Sequence, residues 1–159
     1  MAFREVARKK QALTKSECIE ILKSEKRGVL ACLGDDDYPY ALPLNHFYNE
    51  EDGKLYFHSG KVGHKVEAIK KHSKVSFCVY DSGYKKEGEW ALNIKSVIVF
   101  GRIEIIEDYE KAMELCRKLS YKFTDDEKYI AKEIEKSGKG TLVFAINPEH
   151  ITRKLVNEA

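Results

Sequence analysis

The sequence predicts a mainly β protein in which a small antiparallel barrel, closed or partly closed, carries a few peripheral helices. Six or seven short segments with strand character follow one another, with turn-forming residues between them. Helical periodicity separates only some of these segments, whereas a parallel doubly wound sheet would need a helix after nearly every strand. Because a barrel this small fills its interior with side chains, a cofactor would bind outside it, at a subunit boundary.

The composition is typical of one globular domain. Of 159 residues, 43% are hydrophobic, which is enough for a single core over residues 1–159, with residues 1–13 as a basic N-terminal arm. The 28 basic and 26 acidic residues leave a formal charge of +2, which does not favour nucleic acid or a membrane surface as partner. No stretch reaches the roughly 18 apolar residues of a membrane helix, and no signal peptide is evident. We therefore expect a cytoplasmic protein.

Capping signals and helical periodicity predict four helices. Thr14 and Glu17 form a capping box before apolar residues at helical spacing, Asp108 is a candidate N-cap, and Thr124 with Glu127 forms a second capping box. The predicted helices span about residues 14–25, 62–72, 108–119 and 124–136.

Period-2 patterns and turn residues predict the strands, at about residues 28–33, 38–48, 54–58, 74–80, 96–105 and 140–146. Turn-forming residues connect the first three of these strands, which predicts an antiparallel meander. Pro43 cannot donate to a ladder, so it should lie at an edge, at a bulge or at a close approach. Asn147 and Pro148 should end the last strand.

One cluster, at residues 59–65, predicts an anion site. It places Ser59, Gly63, His64 and Lys65 where a strand ends and a helix begins. A helix N-terminus offers free amide N–H groups, to which Ser59 adds a hydroxyl and Lys65 a charge. A phosphate is the simplest ligand. A serine-capped helix with solvated lysines is equally compatible with these residues.

Other polar residues are candidates for binding. Asn45, on a strand expected to run beside His58, could recognise the edge of a planar heterocycle or satisfy a neighbouring backbone group. Ser96 could present its hydroxyl to a ligand from the longest strand. His46, His58 and His64 are more often structural imidazoles than catalytic ones. Trp90 could cover a flat ligand, although packing is favoured.

Side-chain catalysis alone is not indicated. No Ser-His-Asp order, nucleophile elbow or carboxylate pair stands out, so an enzyme of this sequence would use a bound cofactor. The four cysteines are widely spaced, which disfavours a metal site or a disulfide framework. They are Cys18, Cys32, Cys78 and Cys116.

Five blocks, at residues 4–11, 37–44, 56–65, 75–79 and 96–101, carry a resemblance to a known family. In order and spacing they resemble the 5-nitroimidazole-resistance (Nim) family, which belongs to the pyridoxamine-phosphate-oxidase-like split-barrel flavoproteins. The resemblance implies an antiparallel split β-barrel and a homodimer, with FMN in two interface clefts lined by both subunits.

The resemblance also implies roles for individual residues. Lys65 and its neighbours would lie near the phosphate, Leu44 and Asn45 along the ring system, and Ser96 and Val97 would complete the wall. The nine implied cofactor residues are Leu44, Asn45, His58, Ser59, Gly63, His64, Lys65, Ser96 and Val97. Ile94, Lys95 and Arg153 depart from the family pattern, so no role is transferred to them.

The expected function is that of an FMN-dependent reductase. NADH or NADPH would supply electrons, a small planar acceptor such as a nitroimidazole would receive them, and His64 or His46 could deliver a proton. One alternative is a pyridoxamine-phosphate-oxidase-type reaction, for which the sequence offers no second Arg and Lys cluster. Another is a non-catalytic flavin- or haem-binding protein with His58 or His64 as haem ligand.

Overall fold

The computed structural model describes residues 2–159, which form seven strands and four α-helices. The strands are β1 (Arg27–Leu33), β2 (Pro39–Asn45), β3 (Phe47–Asn49), β4 (Lys54–Gly60), β5 (Lys74–Tyr80), β6 (Asn93–Ile105) and β7 (Thr141–Asn157). The helices are α1 (Lys15–Ser24), α2 (His64–Lys71), α3 (Tyr109–Ser120) and α4 (Glu127–Ser137). None of the described helices combines the length and apolar character needed to cross a bilayer.

The seven strands form one antiparallel sheet that curls back on itself. Its strand order is β2-β1-β5-β6-β7-β4-β3, so β2 and β3 are the two edges although only His46 separates them in the chain. A flat sheet of this order would hold its edges about 29 Å apart at the usual strand spacing. One residue cannot span that distance, so the edges meet and β2 lies against β4. The predicted fold class, a mainly β split barrel with peripheral helices, is confirmed.

The main core lies inside the curl. Leu30, Phe57, Phe77, Val97 and Phe144 come from five different strands, and at most 1% of each is exposed. Buried side chains of α1 and α2 join the same cluster, while α3 packs against β4 and β7 in a second, smaller cluster. Burying each large apolar side chain stabilises the fold by roughly 1.5–3 kcal/mol.

The helix predictions are confirmed in number, and one capping prediction is wrong. The capping box of Thr14 and Glu17 is present at the start of α1. At α4, however, Asp126 is the N-cap, because its carboxylate accepts the amide N–H groups of Lys128 and Tyr129. The Thr124 hydroxyl instead accepts the Asp126 amide.

The predicted meander is wrong within its second strand, whereas its second turn is present and joins β3 to β4. The expected strand at residues 38–48 breaks at His46, and β4 pairs with β3 and β7, whereas β2 pairs with β1. Curling of the sheet explains this, because it sends the chain from one edge directly to the other. Pro43 therefore lies on an edge strand, which is one of its expected positions.

The last strand does not end at Pro148. It continues to Asn157, and the register with β6 shifts so that Gly101 lies opposite Pro148 and Phe100 opposite His150. Glu149 is the extra residue of this bulge. A bulge allows a proline, which has no N–H to donate, inside a long strand.

The side of β1, β5 and β6 that faces away from the core forms a surface that we call the outer face. Its residues are half-buried and mostly small or apolar: Val29, Ala31, Ser76, Cys78, Ile98 and Phe100. The N-terminal arm reaches its edge, where Phe3 stacks on His150 with ring centroids 5.0 Å apart. Arg153 ties this arm to β7, since its Nε donates to the Leu13 carbonyl at 2.7 Å.

Candidate functional site

The turn between β4 and α2 is open at its tip. Gly63, the N-cap of α2, has a φ of 131°, a conformation that residues with a Cβ rarely adopt. No side chain from residues 2–159 caps this helix, and a Cβ added to Gly60 or Gly63 would meet nothing within 4 Å. The positive end of the α2 dipole is therefore available to an anion.

Lys65 and His58 lie side by side next to this turn. Lys65 is half-buried, and burial lowers the pKa of its ammonium group without any opposing contribution from a carboxylate. The His58 ring lies on the exposed side of β4, yet burial and then the Lys65 charge lower the pKa of its imidazole. A half-buried lysine that lacks an acidic partner has electrostatic capacity left for an anionic ligand.

Ser59 and His64 are already engaged in local contacts. The Ser59 hydroxyl, 8% exposed, donates to the Gly60 carbonyl at 3.0 Å. His64 stacks on Tyr40 with ring centroids 4.1 Å apart, and its Nε2 accepts the Asp35 amide N–H at 3.2 Å. His64 thus joins α2 to β2, and in the neutral state its proton is on Nδ1.

A groove of about 290 Å³ lies beside the turn and contains three of the sequence-predicted residues. It is lined by Leu44, Asn45 and His58 together with Pro43 and Arg27. Arg27 lies directly opposite Asn45 in the β1–β2 ladder. The groove therefore combines an apolar wall, an amide, an imidazole and a guanidinium, which suits a flat ligand with polar edges.

Ser96 and Val97 are not brought to this groove. Both lie on β6, and strands β1 and β5 separate β6 from β2 in the sheet, a distance of about 14 Å at usual strand spacing. The Val97 side chain is fully buried in the core. Within one chain, the structure thus gathers the predicted residues of β2, β4 and α2 but not those of β6.

His46 lies in the interior and not in the groove. Its side chain is fully buried, its Nε2 lies 2.8 Å from the Leu22 carbonyl, and its ring packs edge-on against Phe77. Burial, followed by the Lys122 charge, lowers the pKa of His46 to about 4. These contacts describe a neutral structural imidazole.

Comparison with family models identifies the wider relationship. Residues 14–155 match the model of the pyridoxamine 5'-phosphate oxidase family, which is most of the chain. The chain belongs to this family. Within it, the narrower resemblance to the nitroimidazole-resistance proteins stays a prediction. No curated protein gives a significant sequence match.

Several solved structures share the fold of this family member. A Bacteroides thetaiotaomicron protein, provisionally described as a 5-nitroimidazole antibiotic resistance protein, superposes with a TM-score of 0.79 at 20% identity, over 91% of this chain and 85% of that one. An FAD-binding protein of Mesorhizobium loti superposes with a TM-score of 0.67 at 26% identity, over 92% of this chain and 97% of that one. A flavocytochrome of Azotobacter vinelandii superposes with a TM-score of 0.74 at 22% identity, over 95% of this chain and 72% of that one.

Sequence reasoning missed two residues near the candidate site: Arg27, which lines the groove, and Tyr40, which stacks on His64. In the sequence Arg27 comes just before an apolar run, which predicts an ordinary surface charge. Tyr40 lies in a strand segment that contains other aromatic residues, so nothing distinguishes it from them. Cross-strand pairing with Asn45 could have indicated Arg27 had the hairpin register been worked out.

Two other residues singled out in the sequence lie elsewhere. The Trp90 side chain, which was expected to pack, is 74% exposed. Lys95, which departs from the family pattern, forms an ion pair with Glu17, with 3.5 Å between the ammonium nitrogen and the carboxylate oxygen.

Proposed function

We propose that this protein is a flavin-dependent reductase that binds FMN between the β4–α2 turn and the groove of Leu44, Asn45 and His58. The observation that carries the proposal is Lys65, a half-buried cation to which residues 2–159 provide neither an acidic partner nor, at the adjacent helix N-terminus, a side-chain cap. A terminal phosphate suits both features, because charge-assisted hydrogen bonds and the helix dipole act on the same anion.

The remaining residues fit the rest of the cofactor. The apolar wall at Leu44 and Pro43 suits one face of a ring system, and the Asn45 amide supplies both a donor and an acceptor for a heterocycle edge. His58, between the groove and Lys65, suits the ribityl chain. The FAD-binding protein of Mesorhizobium loti, at 26% identity over 92% of this chain, supports a flavin as ligand.

The proposal includes a homodimer. The outer face presents half-buried side chains such as Val29, Ile98 and Phe100, and a second copy would remove them from water. Ser96 lies on β6, next to this face. In a dimer it would therefore approach the cofactor bound by the partner subunit. Two equivalent clefts would follow from twofold symmetry.

The chain itself orients the reactants and supplies protons. A flavin held by these residues would supply two-electron transfer between NADH or NADPH and a nitro group, whose reduction with two electrons and two protons gives a nitroso compound and water. Pro43 and Leu44 exclude water from one side of the ring site, and Lys65 anchors the phosphate. His64 is the retained proton donor, through Nδ1, and His46 is excluded by its burial.

The visible spectrum of freshly purified protein tests the proposal. We expect flavin absorbance, bleaching on anaerobic mixing with NADH or NADPH, and recovery of the oxidised spectrum when a 5-nitroimidazole is added. Protein without flavin absorbance that also takes up no FMN would refute cofactor binding. Bound flavin that stays oxidised with both donors would refute the reductase and leave a flavin-binding protein.

A further inference from the structure

We infer that Lys122 is a positioning residue of the candidate flavin site and acts on it through the main-chain carbonyl group of His46. The inference rests on the proposed function, because the ligand concerned is a flavin bound along Leu44, Asn45 and His58. Lys122 does not line the groove itself, since it lies in the turn between α3 and α4.

The crossing from β2 to β3 leaves no slack in the chain. His46 is the single residue between the two strands, and the two residues before it, Leu44 and Asn45, line the groove. The position of His46 therefore determines where the end of β2 lies. The His46 amide donates to the Lys26 carbonyl at 3.3 Å, while its own carbonyl belongs to neither the β1–β2 ladder nor the β3–β4 ladder. Because His46 is fully buried, this carbonyl needs a donor from elsewhere in the fold.

Lys122 supplies this donor. Its Nζ donates to the His46 carbonyl at 2.7 Å and to the Glu25 carbonyl at 2.7 Å. Glu25 is the C-cap residue of α1, and carbonyls at the end of a helix have no partner within the helix. One amine thus joins the end of α1 and the β2–β3 crossing to the α3–α4 turn. The two partners lie 97 and 76 residues away in the chain, so no local sequence pattern indicates the contact.

The charge of Lys122 strengthens this contact. Burial lowers the pKa of Lys122 to about 8, while the Glu25 carboxylate acts in the opposite direction and the Lys26 ammonium in the same direction. The amine is therefore mostly protonated at pH 7, and a charged donor forms a stronger hydrogen bond than a neutral one. After burial, the same charge is the next cause of the lowered pKa of His46, whose Nε2 lies 2.8 Å from the Leu22 carbonyl. Lys122 thus acts on both the carbonyl and the ring of the crossing residue.

The test compares FMN binding by three variants. Lys122→Met removes the donor but keeps an unbranched side chain, Lys122→Arg keeps a charged donor, and Lys118→Met is the control, because Lys118 pairs with Glu114 along α3. Titration of apoprotein followed by flavin fluorescence gives each dissociation constant per folded molecule. We expect Lys122→Met to bind FMN about tenfold more weakly than the wild type, a usual size for coupling between two sites. Lys122→Arg should recover most of this loss, and Lys118→Met should stay within about twofold of the wild type.

A purely structural role would give a different result. If Lys122 only stabilised the fold, Lys122→Met would lower the free energy of unfolding in urea but leave the FMN affinity of the folded protein at the wild-type value. That outcome would overturn the inference. Equal weakening of FMN binding in Lys122→Met and Lys122→Arg would assign the effect to packing and not to the donor, and would overturn it as well.

Hydrogen exchange provides a measurement on the wild type, which decides the question if Lys122→Met does not fold. Because coupling is reciprocal, bound FMN must stabilise a contact that strengthens its own binding. Amides of residues 121–124 should therefore exchange at least about threefold more slowly with FMN bound, whereas those of residues 135–137, at the exposed end of α4, should not change. An unchanged rate at residues 121–124 would contradict the positioning role.

Failure of the proposed function is recognised separately. A wild type that binds no FMN would refute flavin binding, and the apoproteins would then show whether Lys122 positions the groove. In that case residues 44–46 should still exchange faster in Lys122→Met than in the wild type and in Lys118→Met. Equal exchange at these residues in the three proteins would exclude any effect of Lys122 on the groove.

Discussion

His64 lies almost flat against Tyr40, with ring centroids 4.1 Å apart and an interplanar angle of 23°. The same imidazole accepts the Asp35 amide N–H, and a Cβ on Gly34 would lie only 3.0 Å from its Nε2. Three segments therefore meet at one ring: the β1–β2 turn, strand β2 and the first residue of α2. This contact sets the position of the candidate phosphate turn relative to the groove.

We expect His64→Ala to lower the free energy of unfolding by about 1–3 kcal/mol, the sum of a lost aromatic contact and a lost hydrogen bond. His64→Phe, which keeps a stacking ring, should lose about half of that. Urea unfolding measures both, with His72→Ala as control, because His72 is exposed at the end of α2. Unchanged stability in His64→Ala would contradict the bridging role and leave His64 as a proton donor alone.

Lys65→Ala should weaken FMN binding by about 1.5–3 kcal/mol, the range of a charge-assisted hydrogen bond. The matched control is Lys70→Ala, which removes an exposed lysine from the last turn of the same helix. Titration of apoprotein followed by flavin fluorescence gives the affinities. If the two alanine variants bind FMN equally, the phosphate lies elsewhere on the protein.

The sequence identified local elements better than their pairing. Capping at Thr14, the glycine turn at Gly63 and the alternation of β5 depend on nearby residues, and the structure agrees with them. The break at His46 depends instead on curling of the whole sheet, to which no local pattern refers. The bulge at Pro148 likewise depends on its partner strand, because proline alone indicates equally an end or an irregularity.

The residues of the candidate site also differ in whether their place depends on nearby residues or on strand pairing. Residues 58–65 are contiguous, so the sequence could group them as one cluster, and the structure keeps them together. Arg27 joins the groove only through the register of β1 with β2. His46 could not be separated from His64 by residue type alone, since the difference lies in burial: one is enclosed in the core and the other has a partly exposed side chain.

Gly101→Ala should destabilise the barrel strongly, because a Cβ at this position would lie 2.2 Å from the Asn147 carbonyl oxygen at the bulge. We expect a loss of about 3 kcal/mol or more, the upper range for overpacking. Gly140→Ala is the control, since its Cβ would meet nothing within 4 Å, and it should stay within about 1 kcal/mol of the wild type. Similar melting temperatures for the two variants would show that the backbone at the bulge moves aside easily.

Ile98→Lys should convert the expected dimer to monomer, because the substitution places a charge in the middle of the outer face. Sedimentation velocity distinguishes the two states, and Lys139→Glu, at an exposed turn before β7, should leave the dimer intact. If the cofactor cleft needs both subunits, the monomer should also lose flavin. A monomer that retains full flavin would locate the whole site within one chain, and a wild-type monomer would remove the dimer from the proposal.

Burial of His46 makes the stability of the fold dependent on pH. Its pKa is about 4 in the folded chain against an ordinary value of 6.5, so between these pH values the unfolded chain binds the additional proton. Stability should therefore be complete above pH 6.5 and fall as pH drops toward 4, with a loss from this group of up to about 3 kcal/mol. His46→Gln, whose amide can still donate to the Leu22 carbonyl, should have a flatter profile over this window. Urea unfolding at pH 7, 6, 5 and 4.5 gives the difference between the two proteins, in which the titration of surface carboxylates cancels. Parallel profiles would mean that the imidazole is protonated in the folded chain and that its site is more polar than the contact with Phe77 indicates.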